Sequence, residues 1–149
     1  MRFHLIDRID AWEPGRSVRA RKLTSRADPF WIGSGERAHM PEPLVLEALC
    51  QAGTWLVLLT TERRRRAALL TIGMVTFHEA VRPGDVLAID AEVESMRDDA
   101  AVISGRVVVE GRCVLEARQV MCALIDAAEL EDLDDTARIE RCLTRGQAA

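Results

Sequence analysis

The sequence has no excess of positive charge. Over 149 residues the formal net charge is -4 and the pI is near 5.4, so the bulk electrostatics give no attraction to nucleic acid or to an anionic membrane surface. Close cysteine pairs are also missing. Cys50, Cys113, Cys122 and Cys142 lie far apart, without the short spacings a zinc site or a redox motif needs. The first three read as small core residues and Cys142 as an exposed thiol in a polar tail, so a disulfide framework is not expected. His4, His39 and His78 are scattered, with no second ligand at metal spacing, and neither a metal nor another cofactor is expected. Charges at positions 2, 7, 8 and 10 of "MRFHLIDRIDAW" interrupt any signal-peptide core, and no run reaches membrane-spanning length. The expectation is a cytoplasmic protein. No internal repeat is visible.

What is present is 48% hydrophobic residues, enough to bury the core of one domain. That domain is expected over residues 1–125, with an acidic tail at 126–149 whose "LEDLDDTARIERCL" could form a short amphipathic helix and whose last residues fray. Residues 3–12 alternate loosely, "EPG" supplies a turn, and "RSVRARKLT" sets Val18, Ala20 and Lys22 against arginines, which reads as a hairpin. Residues 25–40 hold two glycines and a proline without a sustained period, so they form a loop of a length that tends to be functional. Further on, "ALLTIGMVTFHEAV", "VLAIDAEVESM", "AAVISGRVVVE" and "CVLEARQVMCALI" are rich in β-branched residues and divided by turn signals, Glu110-Gly111 among them. They read as a meander of four long strands.

Between loop and strands lies "HMPEPLVLEALCQAGTWLVLLTTERRRR". Pro41 suits a first helical turn and Glu42 complements the dipole there. From Leu44 to Leu59 apolar residues cover nearly the whole circumference, marking a helix buried on most sides. Arg63 to Arg66 then close it as a solvated, cationic terminus. An antiparallel sheet of about six strands needs one face covered, and this segment is apolar enough to cover it. The fold class is α+β, a sheet wrapped around one central helix. A helix so apolar also implies a second chain sealing part of its surface, in a homodimer or heterodimer. Glu47 interrupts the apolar stretch, and Gln51, one turn later on the same face, is placed to orient it. Cys50 has no evident base nearby and reads as a packing residue, and His78 as a structural residue at a strand end.

Four blocks then match a known family in order. "FHLIDRIDAWEPGRSVRARKLT", "MPEPLVLEALCQAG", "VRPGD" and "EARQVMCAL" resemble the opening, helix motif, strand start and last strand of the 3-hydroxyacyl-acyl-carrier-protein dehydratases. The resemblance covers roughly residues 3–125 and implies the hot-dog fold. It implies a carrier-bound acyl thioester as substrate and acyl carrier protein as partner, with Arg63 to Arg66 a possible contact. In that family a helix glutamate, here Glu47, works with a histidine in the preceding loop, and the helix N-terminus polarises the thioester carbonyl. The family's histidine falls at Gly33 and its phenylalanine at Ser34. The proline-glycine after the methionine becomes Pro41-Glu42, so a side chain stands where bare backbone approaches the thioester. His39 is the histidine left in the loop. The expected site is therefore Glu47 and His39 as catalytic groups, in apolar surroundings, with Gly33, Ser34, Pro41, Glu42 and Gln51 against the substrate. Trp55 and the Phe30-Trp31 pair are candidates for the acyl tunnel or for the core. Three functions stay open: a dehydratase acting alone, a subunit whose histidine comes from a partner hot-dog chain, and a thioesterase directing water with Glu47.

Overall fold

Alternation decides the first hairpin. In the computed structural model, which describes residues 3–146, β1 (Arg8–Glu13) pairs antiparallel with β2 (Ser17–Leu23). Val18, Ala20 and Lys22 turn inward. Arg19 and Arg21 face the other way and reach Asp90 at 3.0 Å and Asp10 at 2.7 Å. Lys22, though buried, reaches Asp7 at 3.3 Å, the kind of pairing a buried amine needs.

The central helix, α1 (Glu42–Thr60), begins one residue after Pro41, whose carbonyl accepts from the Leu44 and Val45 amides at 2.9 and 3.3 Å. Ala48, Leu49, Ala52, Leu56, Val57 and Leu58 are all buried. Gly105 on the sheet explains how closely the helix sits. A Cβ there would lie 2.4 Å from the Asp90 carbonyl oxygen and 2.6 Å from Leu49 Cδ1. At 19 residues, α1 extends past both ends of its 16-residue apolar run, and its length and hydropathy would suffice to cross a membrane. Here that apolar surface packs into the sheet.

Strands β3 (Arg65–Phe77), β4 (Val86–Met96), β5 (Ala100–Val109) and β6 (Arg112–Asp126) fall where the β-branched segments predict. They complete a six-stranded antiparallel sheet of order β1-β2-β4-β5-β6-β3, which curls around α1 as a hot-dog fold. The expected four-strand meander is corrected. Only β4, β5 and β6 follow one another, whereas β3 lies at the far edge beside β6. The cause is α1, which carries the chain across the concave face so that it emerges at the edge opposite β1. The β5–β6 turn is tight because Glu110 and Gly111 both take positive φ, 49° and 78°, as a two-residue hairpin requires.

The arginine run also differs from expectation. The helix stops at Thr60, Glu62 and Arg63 take left-handed φ values of 52° and 64°, and the Arg63 amide donates to the Leu58 carbonyl at 2.7 Å. Arg65 and Arg66 already belong to β3. Three of the four arginines have side-chain partners within the chain: Arg63 reaches Glu140 at 2.8 Å, Arg66 pairs with Glu131, and Arg64 Nε donates to the Thr61 carbonyl at 3.0 Å.

Those partners lie in the tail. A short 3₁₀ turn, Ala127–Glu129, leads to α2 (Leu133–Leu143), which is capped by Asp132 accepting from the amides of Asp134 and Asp135 at 2.9 and 3.3 Å. Thr136 and Leu143 are buried and α2 packs against β1. The helix thus starts at the β6–β3 edge and ends at the opposite edge, bridging the open seam of the curled sheet. Residues 147–149, the end of the segment expected to fray, lie outside the described residues.

Candidate active-site groove

The burial of α1 is broken along one stripe. Glu47 is exposed, and Cys50, Gln51 and Thr54 are half-buried, while the residues between them are buried. Spacings of three, four and seven put these on one helical face. That face lines a groove of about 690 Å³, floored by Ile103, Val120 and Cys122 of β5 and β6. The remaining sides come from the N-terminal segment, from Arg66, Ala67 and Leu69 of β3, and from residues of the tail. Glu47 is therefore not enclosed in apolar packing as the sequence suggests. In the single chain it stands at a groove.

Gln51 organises this end of the groove. Its Nε2 donates to Glu47 Oε1 at 2.9 Å and to the Phe3 carbonyl at 3.1 Å, and its Oε1 accepts from the Leu5 amide at 2.8 Å. One amide side chain thus fixes the carboxylate and pins residues 3–5 across the helix. His4, between the two pinned residues, lines the same groove. The sequence reading missed it, since His4 carries no motif and the Leu5–Gln51 bond that holds its segment here joins residues 46 positions apart.

His39 is not brought to Glu47. It sits in an isolated bridge with Ile32, amide to carbonyl at 2.9 Å in both directions, and its Nδ1 lies 3.0 Å from the Arg37 carbonyl. None of His39, Gly33, Ser34, Pro41 and Glu42 lines the groove of its own chain, so among the proposed site residues only Glu47 and Gln51 meet there. Gly33 has φ +78°, and a Cβ would stand 3.0 Å from the Arg37 carbonyl oxygen. The loop is folded around a residue without a side chain. Trp55 lines the groove; Phe30 and Trp31, their rings tilted at 52° with centroids 5.0 Å apart and the Trp31 indole donating to the Ser25 carbonyl at 2.8 Å, pack against the core elsewhere. Cys50 is no nucleophile. Burial first, then the charge of Glu47 and the neighbouring Cys122, push its thiol up to about 12, which leaves it protonated near neutrality. Among the described residues no cluster of His, Cys, Asp and Glu could hold a metal ion.

Against known proteins, the FabA-like domain matches residues 1–118. The chain belongs to the FabA-like domain family. Within it, a 3-hydroxyacyl-[acyl-carrier-protein] dehydratase FabZ from Chlamydia pneumoniae is 40% identical over 95 residues, 60% of this chain and 62% of its own length. The FabZ of Roseiflexus sp. (strain RS-1) is 36% identical over 114 residues, 71% of this chain and 80% of its own. This FabA-like chain thus spans a little under two thirds of the first relative and four fifths of the second. Among solved structures, the dehydratase heterocomplex ApeI:P from Xenorhabdus doucetiae superposes with a TM-score of 0.65 at 17% identity, over 91% of this chain and 88% of that one. The acetyl-CoA-bound smu.793 of Streptococcus mutans does so at 0.63 and 14%, over 85% and 92%. At these identities the structural likeness establishes the hot-dog fold alone. The family match ends before the tail residues that wall the groove.

Proposed function

We propose that this FabA-like chain is a dehydratase subunit for carrier-bound 3-hydroxyacyl thioesters, with Glu47 as an acid–base group. The observation that carries the reading is the Glu47 carboxylate, held by Gln51 at the mouth of a groove whose floor is apolar. The reaction needs a base to take the C2 proton, so that the electron pair forms the C2–C3 double bond, and an acid to protonate the hydroxyl that departs from C3 as water. Two groups on opposite sides of the acyl chain meet that need. In this chain the imidazole that shares the groove is His4. The purified protein should interconvert 3-hydroxyacyl and trans-2-enoyl thioesters, and Glu47→Gln should slow this about 10²–10⁴-fold; thiol release from acyl thioesters with no enoyl product would overturn the reading in favour of a thioesterase.

A second reading has its own support, which is Gly33. The loop that precedes α1 lacks its imidazole and lies away from its own chain's groove, as expected for a loop that serves a neighbouring subunit. Strand β3 offers the contact. It is a 13-residue edge strand with Leu69, Leu70 and Met74 each more than half exposed, an edge that soluble proteins rarely leave bare. On this reading a histidine-bearing hot-dog partner joins through β3 and brings its imidazole to Glu47. Activity that arises only on mixing with such a partner selects it. Activity of the lone chain that His4→Gln removes selects the first. Either version fits a soluble, cytoplasmic protein working with an acyl carrier.

A further inference from the structure

The tail beyond the family match does more than cover the seam. From it Leu130 and Ile139 face the groove, and so does the ion pair of Glu131 with Arg66 on β3. One oxygen of that pair, Glu131 Oε1, is buried with no hydrogen-bond partner among the described residues. A methyl terminus pressed against the pair would take water from its exposed atoms, Arg66 being 37% and Glu131 21% exposed, and give them no partner in return, which is costly. The groove therefore has polar groups at both ends. Glu47, Gln51 and His4 stand at one, and Arg66 with Glu131 at the other, with Cys50, Trp55, Ile103 and Val120 between them.

We propose that α2 and the Arg66–Glu131 pair form the end stop of an acyl-chain ruler. The inference rests on the reading of the groove as an acyl site and adds what fixes the length accepted. The α1 residues along the groove run from Glu47 to Trp55, about 12 Å at ~1.5 Å per residue. An extended alkyl chain advances about 1.3 Å per carbon, given C–C bonds of ~1.5 Å, so the apolar stretch holds roughly nine carbons. Shorter chains leave the far wall unfilled, and longer ones must displace α2 or press their ends against the ion pair.

The test uses S-acyl pantetheines from four to sixteen carbons, read in two ways: turnover of the 3-hydroxyacyl forms, and binding of the saturated forms followed by tryptophan fluorescence, since Trp55 lines the groove. Affinity should rise to a maximum at about eight to ten carbons and fall at least tenfold by fourteen. The double variant Arg66→Met/Glu131→Leu removes the charges while keeping volume, and should move the maximum to longer chains. Ile139→Trp should move it to shorter ones. A circular dichroism spectrum and Tm near wild type confirm that each variant is folded, and Leu143→Val, away from the groove, is the control expected to leave the maximum in place. If both groove variants fold and keep the wild-type length profile, the ruler is wrong. If binding shows the shifts but no thioester is ever dehydrated, the ruler stands and the dehydratase reading falls.

Discussion

The two walls of the groove are built by different physics. The α1 wall is part of the core: behind Glu47 and Gln51 lie Ala48, Leu49 and Ala52, all buried, pressed so closely on the sheet that only glycine fits at position 105. The α2 wall is held by two ion pairs, Arg63–Glu140 and Arg66–Glu131, and by a few apolar contacts. A close-packed wall resists adjustment, whereas partly exposed ion pairs contribute little each. On the proposed reading, the chemistry lies on the rigid side and the fit on the side that can change cheaply.

That contrast can be broken or sharpened by substitution. The largest effect should come from Glu47→Gln, which keeps the Gln51 contact yet removes the proton-transfer group. Turnover should drop about 10²–10⁴-fold with the Tm nearly unchanged, as read by a paired assay and thermal melt. Next, Gly105→Ala forces a methyl against backbone and Leu49, and chemical denaturation should show a loss of about 1–3 kcal/mol. Opening the other wall should matter less. Arg63→Ala, which breaks a pair whose members are 38% and 21% exposed, should cost only about 0.5–1 kcal/mol while exposing α2 to limited proteolysis. His39→Gln should change turnover by less than about threefold, because the ring is outside the groove of its own chain; a loss as large as that of Glu47→Gln would restore the loop histidine to the mechanism.

The smallest effect is a matter of labelling. At pH 8 iodoacetamide should modify exposed Cys142 and spare Cys50 and Cys122, whose thiols are held up mainly by burial. For Cys50 the folded value, about 12, lies above the ordinary 9.0. The stability it contributes is therefore complete below pH 9 and is lost as the pH rises toward 12. The chain has no tyrosine to mask that alkaline limb, so Cys50→Ala should flatten it in pH-dependent denaturation.

How much of this was legible beforehand follows from what each feature depends on. The strands were readable because β-branched runs and turn residues are local signals, and Glu110-Gly111 carried its turn type in two letters. The pairing of β3 with β6 was not, because it depends on where α1 delivers the chain. The alternation of Val18, Ala20 and Lys22 named the inward face, charged member included. Glu47 and Gln51 stood out as polar residues on an apolar helix, and Gln51 does hold Glu47. Their exposure was misread, since an unbroken apolar run hides a stripe that the curled sheet leaves open. His4 and the Arg66–Glu131 pair were invisible for the same reason as each other: each enters the groove through a contact tens of residues away along the chain.

Gly33 carries a consequence for anyone wishing to rebuild the site. Writing a histidine into position 33 would not bring an imidazole to the groove, because the peptide there is wound left-handed and its α-carbon hydrogen already faces a carbonyl. The ring would arrive only with a new path for the whole 33–38 segment. One substitution at position 33 is thus not enough to carry an imidazole to the groove.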